Sequence, residues 1–549
     1  MPIMFSRKAV RAWILTLLFS SFSEASIGER QIPAQPTGLR TISSPGGVHI
    51  RYKNPEICET TPGVKTYSGY VDLDPKTHIF FWFLEARENP AEAPTTLWLT
   101  GGPGSDSLLA AFIENGPCKV TDGTTPVYNP YSWSNHSNML YLSQPVGTGF
   151  SYSEEAPGSI DPNTGLYLPP SEAPATGADL SEWPIVDASL TDTTSLAAVA
   201  AWHTIQAFFT NLDHLDSAIK SKSFNLWTES YGGHYGPVFY DYFFDQNQAI
   251  ANGSLSGYEL SFNTFGIGNG LIDYYIQAPY YPKFAVENTY GVVSVNQTVY
   301  DYMEFALNMD NGCLQQIEFC RSTDLALPGA QAICAEAQDM CRDNVEGPYY
   351  AYSGRGTYDI RASSDAAVPP VGPLIEYLNQ AEIQNAMGVS LNYTPSNNEV
   401  YFAFQQTGDF VYATPLLDLE DLLNKDVRII MYSGDADYIC NWFGGEAVSL
   451  AVNYTHAKDF RAAGYAPFLV DGTEYGAVRE QGNFSFVRIY ESGHQVPYFQ
   501  PLASYSLFER AIQGVDIATG TVPSSENYAT NGTASATHTE TFPALPVAT

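Results

Sequence analysis

The chain has 549 residues, with 59 acidic against 25 basic side chains and a formal net charge of −34. A protein this acidic has nothing with which to neutralise phosphates, which excludes nucleic acid as a main partner. Seven cysteines are too few for a disulfide scaffold at this length, and α/β enzymes often run this long as one domain.

In chain order, residues 1–25 read as a secretory signal. Arg7, Lys8 and Arg11 form a basic start, Ala12 to Phe19 a short apolar core, and Ser23-Glu24-Ala25 a cleavage site. The apolar run is too short for a membrane span. The protein is expected in the secretory pathway, secreted or vacuolar/lysosomal, with no membrane span. N-glycosylation sequons at Asn135, Asn252, Asn296, Asn392, Asn453, Asn483 and Asn531 point the same way, with N-glycans expected at some of them. Acidic surfaces mainly aid solubility, but they also suit work in acid, where protonated carboxylates repel one another less.

Thr96 to Leu99 reads as a strand, followed by Gly101-Gly102-Pro103-Gly104, a loop whose backbone can approach a reacting carbon closely. Glu154 to Thr191 is rich in Pro, Ser and acids and reads as an inserted surface loop. Phe224 to Trp227 is a buried strand. After it, Glu229-Ser230-Tyr231-Gly232-Gly233 makes a sharp turn, with Pro237 in the first turn of the following helix. A serine on such a turn projects its hydroxyl from the end of a sheet. It then needs a base and a hole for an oxyanion. Val427 to Met431 is another buried strand, followed by Asp435 and Asp437. Phe484 to Tyr490 is a third, followed by Gly493-His494.

Each signal alone has a bland reading as a turn residue or a satisfied histidine. Together they give Ser, Asp and His in the order of an α/β-hydrolase, each after a strand. The expected fold is therefore α/β-hydrolase: a mixed, mostly parallel sheet flanked by helices, with a helical cap insertion. The core would span 41–273 and 397–514, a cysteine-bearing cap 274–396, and a disordered Ser/Thr-rich tail 518–549. The symmetric spacing of Cys313, Cys320, Cys334 and Cys341 suggests nested bridges, Cys313–Cys341 and Cys320–Cys334, with Cys58–Cys118 using the next two; spacing alone leaves other pairings open.

These motifs closely resemble the serine carboxypeptidase family. Glu229-Ser230-Tyr231-Gly232-Gly233 is similar to its serine motif. Gly434-Asp435-Ala436-Asp437 with Ile439-Cys440-Asn441-Trp442 is similar to its aspartate motif, and Gly493-His494-Gln495-Val496-Pro497 to its histidine motif. Trp98 to Gly104, Gln144 to Tyr152, Gly268-Asn269-Gly270 and Gly63 to Val71 add to the resemblance, which runs from about Cys58 to Pro501.

The resemblance implies that Ser230 attacks the C-terminal peptide bond of peptides and proteins. His494 would serve as base, oriented by Asp437, the second Asp of its motif. The backbone N–H groups of Tyr231 and Gly102 would form the oxyanion hole. Glu229 and Glu114 would bind the substrate carboxylate, assisted by Thr100 and Gln495. Two close carboxyls cannot both ionise cheaply, so one keeps its proton in acid and can donate to that carboxylate. Cys440 would be a free thiol lining the site, open to mercurials. No cofactor and no metal are implied, and no His-Glu-x-x-His occurs.

The chain departs from the family at Thr100, where Asn is usual, at Ser105-Asp106 in place of Cys-Ser, and at Phe499 in place of Asp. These departures bear on carboxylate affinity. Rival readings are an acyltransferase on the same triad, an esterase or lipase, and a non-catalytic binding glycoprotein.

Overall fold

The computed structural model describes residues 35–44, 47–161, 164–172 and 181–542. The expected signal at 1–25 lies outside them. Among the described residues, twelve strands form the main sheet. They are β1 (Arg40–Ser43), β2 (His49–Lys53), β3 (Thr66–Asp74), β4 (Thr77–Leu84), β5 (Thr95–Leu99), β6 (Asn138–Leu142), β7 (Ser223–Glu229), β8 (Ser261–Gly268), β9 (Arg428–Gly434), β10 (Ala466–Val470), β11 (Thr473–Gln481) and β12 (Phe484–Ile489).

Their spatial order is β1-β2-β3-β4-β6-β5-β7-β8-β9-β12-β11-β10. From β6 to β12 in that order, neighbours run parallel. Antiparallel pairs extend both flanks. The parallel strands are buried on both faces, which is why β5 and β12 are buried at every position rather than alternating.

One face is covered by α1 (Thr194–Thr210), α2 (Gly232–Ala251) and α3 (Thr414–Asn424). The other carries α4 (Pro501–Ile512), whose Phe508 stacks on Trp133 at 4.1 Å, with Trp98 and Trp227 set edge-on to Trp133. α2 starts at Gly232, five residues before Pro237, so the proline lies inside the helix rather than in its first turn.

Between β8 and β9 a series of helices joined by short loops runs from Tyr274 to Tyr352, with further helices at Gly372–Leu378, Ala381–Met387 and Asn398–Thr407. Two bridges, Cys313–Cys341 and Cys320–Cys334, staple helix Cys313–Arg321 to helix Ala330–Cys341. Each helix offers its cysteines seven residues apart, two turns on one face, so antiparallel packing produces the nested pairing. Cys58–Cys118 is the third bridge.

Two segments differ from expectation. Within 154–191 the chain forms a small antiparallel sheet of Glu154–Ile160, Tyr167–Leu168 and Ser181–Ile185 rather than an irregular loop. The Trp183 indole donates to the Gly158 carbonyl at 2.9 Å and Gly158 makes room for the Tyr167 ring, contacts that composition does not reveal.

The tail is the second correction. The expected disorder from residue 518 is replaced, through 542, by a strap lying on the core. Tyr465 and Thr533 exchange backbone hydrogen bonds at 2.7 and 3.1 Å. Arg479 donates to the Ala534 carbonyl at 2.8 Å, and Arg488 to those of Ala536 and His538 at 3.0 and 2.7 Å. A Ser/Thr-rich segment has no core of its own, but its carbonyls can satisfy arginines buried beneath it.

Candidate active site

The site assembles at the carboxyl ends of parallel strands, where an open α/β sheet places its ligands. β5 delivers Gly101 and Gly102, β7 delivers Ser230, β8 delivers Asn269, β9 delivers Asp437 and β12 delivers His494.

Ser230 stands between β7 and α2 with φ of +65°, a left-handed conformation that a non-glycine residue holds only when its surroundings enforce it. Its N–H donates to Gly268 at 3.0 Å, and its carbonyl accepts from Gly233 and Leu271, both at 2.9 Å. Glycines keep the elbow tight. A Cβ on Gly101 would come within 2.2 Å of the Tyr231 nitrogen, and one on Gly232 within 2.6 Å of the Thr228 Cβ. Among the described residues, no hydrogen bond takes the N–H of Gly102 or Tyr231, and both residues line the cavity with Ser230.

His494 is buried, and its Nδ1 lies 2.7 Å from Asp437 Oδ2. The carboxylate accepts that proton, which leaves Nε2 for the cavity side. Asp437 Oδ2 also accepts from Asn269 Nδ2 at 2.9 Å and the Cys440 N–H at 3.1 Å, while Oδ1 accepts from Ile439 at 3.2 Å. Gly434 packs against the Gly493 carbonyl and so lets the acid and histidine loops touch. Asn269 is the residue that sequence reasoning quoted without a role. Its Oδ1 accepts from the Gly434 N–H at 2.9 Å, so it links the acid loop to the Asp437 carboxylate. Asp435 turns away and pairs with Arg488 at 3.1 Å.

Glu114 and Glu229 both line the cavity and are almost fully buried. Burial raises Glu229 well above the usual carboxyl range, helped by the charge of Glu114 and a hydrogen bond with it. Burial likewise pushes Glu114 up to about 7, partly offset by the hydrogen bond with Glu229 and by His494 and Lys119 nearby. Thr100 is buried beside them. Its hydroxyl accepts from the Trp98 indole at 3.0 Å, so the hydroxyl hydrogen remains to be donated. Gln495 also lines the cavity.

Asp106 does not reach this site. Its carboxyl is pressed against Gly149 near Ser143 and Tyr393, and burial raises it to about 7. Cys440 lines the cavity as a buried free thiol, with Sγ within 4.8 Å of an Asp437 carboxylate oxygen and a His494 ring nitrogen. Burial and the Asp437 charge push that thiol well above its ordinary range.

The opposing wall comes from the helical insertion and could not be found by motif. Tyr358, Tyr350, Tyr401 and Phe410 line it, with the Tyr358 and His494 rings 5.0 Å apart. Arg342 lies beneath, 4.9 Å over the Phe410 ring and 3.3 Å from Glu346.

Fold and constellation together define an α/β-hydrolase with a serine-centred site. The family model for serine carboxypeptidase matches residues 55–514. Carboxypeptidase S1 homolog B of Arthroderma otae is 40% identical over 535 residues, covering 91% of this chain and 81% of that protein. Carboxypeptidase S1 of Penicillium janthinellum is 36% identical over 462 residues, covering 84% and 98%. A solved prohormone-processing carboxypeptidase from Saccharomyces cerevisiae superposes with a TM-score of 0.61 at 19% identity, covering 82% of this chain and 91% of that one, a likeness of fold. The chain belongs to the serine carboxypeptidase family.

Proposed function

We propose that the protein releases C-terminal amino acids from peptides and proteins in acid, through an acyl-enzyme on Ser230. His494 Nε2 takes the serine proton and returns it to the departing amino acid. Asp437 holds the imidazole in that tautomer and stabilises its cation. The N–H groups of Tyr231 and Gly102 receive the developing oxyanion, and water then releases the acyl product.

The observation that carries the exopeptidase reading is the buried Glu114–Glu229 pair in the cavity of Ser230 and His494. Held with a proton, the pair donates to the free carboxylate of a substrate, with Thr100 and Gln495 as further donors. An esterase or lipase has no use for such a pair. The sequence of residues 1–25, the sequons and the three disulfides support passage through the secretory pathway. Among the described residues, no helix is long and apolar enough to cross a membrane.

The test is release of the C-terminal residue from N-blocked dipeptides across acidic to mildly alkaline pH. Ser230→Ala should lower kcat by roughly 10⁴-fold or more. KM for the free acids should rise as pH passes about 7 and Glu114 ionises, whereas KM for the corresponding peptide amides should not. A well-folded protein that reacts with a phosphonofluoridate at Ser230 but releases no amino acid would turn the reading toward acyl transfer or ester hydrolysis.

A further inference from the structure

Arg488 is a fully buried arginine whose donors are divided among three parts of the molecule. Nε and Nη2 reach Asp435 Oδ2 at 3.3 and 3.1 Å, on the loop that carries Asp437. Nη2 also donates to Thr289 Oγ1 at 2.9 Å, in the insertion. Nη1 and Nη2 donate to the Ala536 and His538 carbonyls of the C-terminal strap at 3.0 and 2.7 Å. The guanidinium lies 4.1 Å over the Trp442 ring.

The strap closes over this point with further contacts. His538 stacks on Tyr490 at 3.8 Å, and the Glu540 N–H donates to the Thr289 carbonyl at 2.7 Å. Asp435 is itself held on its other oxygen by the Tyr290 hydroxyl at 2.6 Å, and Tyr290 meets Phe542 of the strap. From Asp435 the chain runs through Ala436, whose N–H and carbonyl are fixed by Ser492 and Ile360, both at 2.8 Å, into Asp437.

We propose that Arg488, sealed by the strap 533–542, is a positioning residue for the acid loop. It holds Asp435 so that Asp437 meets His494 in the reactive geometry. The physical reason is dielectric. With the strap in place the Arg488–Asp435 pair is out of water, where a broken pair is costly and the loop is therefore rigid. Without it the pair is solvent-exposed and weak, and the loop gains freedom. Misplacing a catalytic group by about 1 Å can cost on the order of 100-fold in rate. The inference rests on Asp437 being the acid of the triad.

The experiment compares the full-length enzyme with a chain ending at Asn531, with Arg488→Met and with both changes together. Active sites are counted by end-point phosphonylation of Ser230, so unfolded protein does not enter. The truncation and Arg488→Met should each lower kcat per titrated site by about tenfold or more, with KM within about twofold, as expected for a lost orientation rather than lost binding. Combined, they should be little worse than either alone, because they break one assembly.

Unchanged kcat per titrated site in the truncated enzyme, or effects that multiply independently, would overturn the proposal. If the truncated chain does not fold, Arg488→Met and Asp435→Asn in the full chain carry the same test. Asp437→Ala is the control: retained kcat there sinks the triad reading itself. A strict need for Asp437 beside an indifferent Arg488 sinks only the positioning role.

Discussion

A buried carboxyl that keeps its proton to about pH 7 is a hydrogen-bond donor where most carboxyls are acceptors, and Glu114 is such a group. Glu114→Gln fixes a donor at every pH. KM for free-acid dipeptides should then stay low above pH 7, where the wild-type value climbs; a variant whose KM still climbs would remove Glu114 from the carboxylate site. Thr100→Val keeps the shape and deletes one hydroxyl donor, along with the acceptor of the Trp98 indole, and should raise KM roughly 3- to 15-fold with little change in kcat, the effect of about 1 kcal/mol of binding, at some loss of stability. That Ser230, Glu229, Asp437 and His494 would meet at one cavity was legible because each sits in a short motif after a strand, whereas Glu114, at the end of the helical turn Ala110–Glu114, was placed by resemblance alone. The fate of Asp106 was not: nothing local says that its carboxyl turns toward Gly149 and Tyr393 instead of the cavity. The role of Asn269 is not legible from Gly268-Asn269-Gly270 alone, since its link to Asp437 spans 168 positions.

Glycine decides the elbow at the next scale. Gly101 faces the Tyr231 nitrogen so closely that Gly101→Ala must push the elbow away from β5. With the Tyr231 and Gly102 N–H groups displaced, kcat should fall roughly 100- to 1,000-fold, the worth of one oxyanion donor, while thermal unfolding stays cooperative. Activity within a few-fold of wild type would show that the hole lies elsewhere. The parallel strands were legible because burial on both faces makes them unbroken apolar runs. The small sheet within 154–191 and the strap were not, because much of their stabilisation comes from partners far along the chain: the Asn392 N–H and the Asn398 side chain, which donate to the Glu182 and Thr164 carbonyls, and the buried Arg479 and Arg488 beneath residues 534–538.

For the molecule as a whole, pH sets stability through its buried carboxyls. Glu114 and Asp106 have ordinary values of 4.5 and 3.8 and stand near 7 when folded, chiefly through burial. Between those limits the folded state keeps protons that the unfolded state has released. The stabilisation these two groups contribute is therefore full below about pH 4 and falls as pH rises toward about 7, by roughly 1.4 kcal/mol per pH unit for each. Calorimetry should show a higher Tm near pH 5 than near pH 8, with Asp106→Asn flattening the slope; a Tm indifferent to pH would contradict this. Glycan mapping tests the surface. Asn483 donates its Nδ2 to the Leu423 and Val427 carbonyls at 3.2 and 3.0 Å, and Asn392 is buried, so both sequons should be bare. Asn252, Asn296, Asn453 and Asn531 are exposed and are where glycans should be found.

The strap also has an order in time. A ribosome makes residues 533–542 after every residue of the catalytic constellation has already emerged. A nascent or prematurely terminated chain therefore holds all the reacting groups without the piece that steadies the acid loop. On the proposed role of the strap, the constellation becomes fully active only once residues 533–542 have been made and have docked.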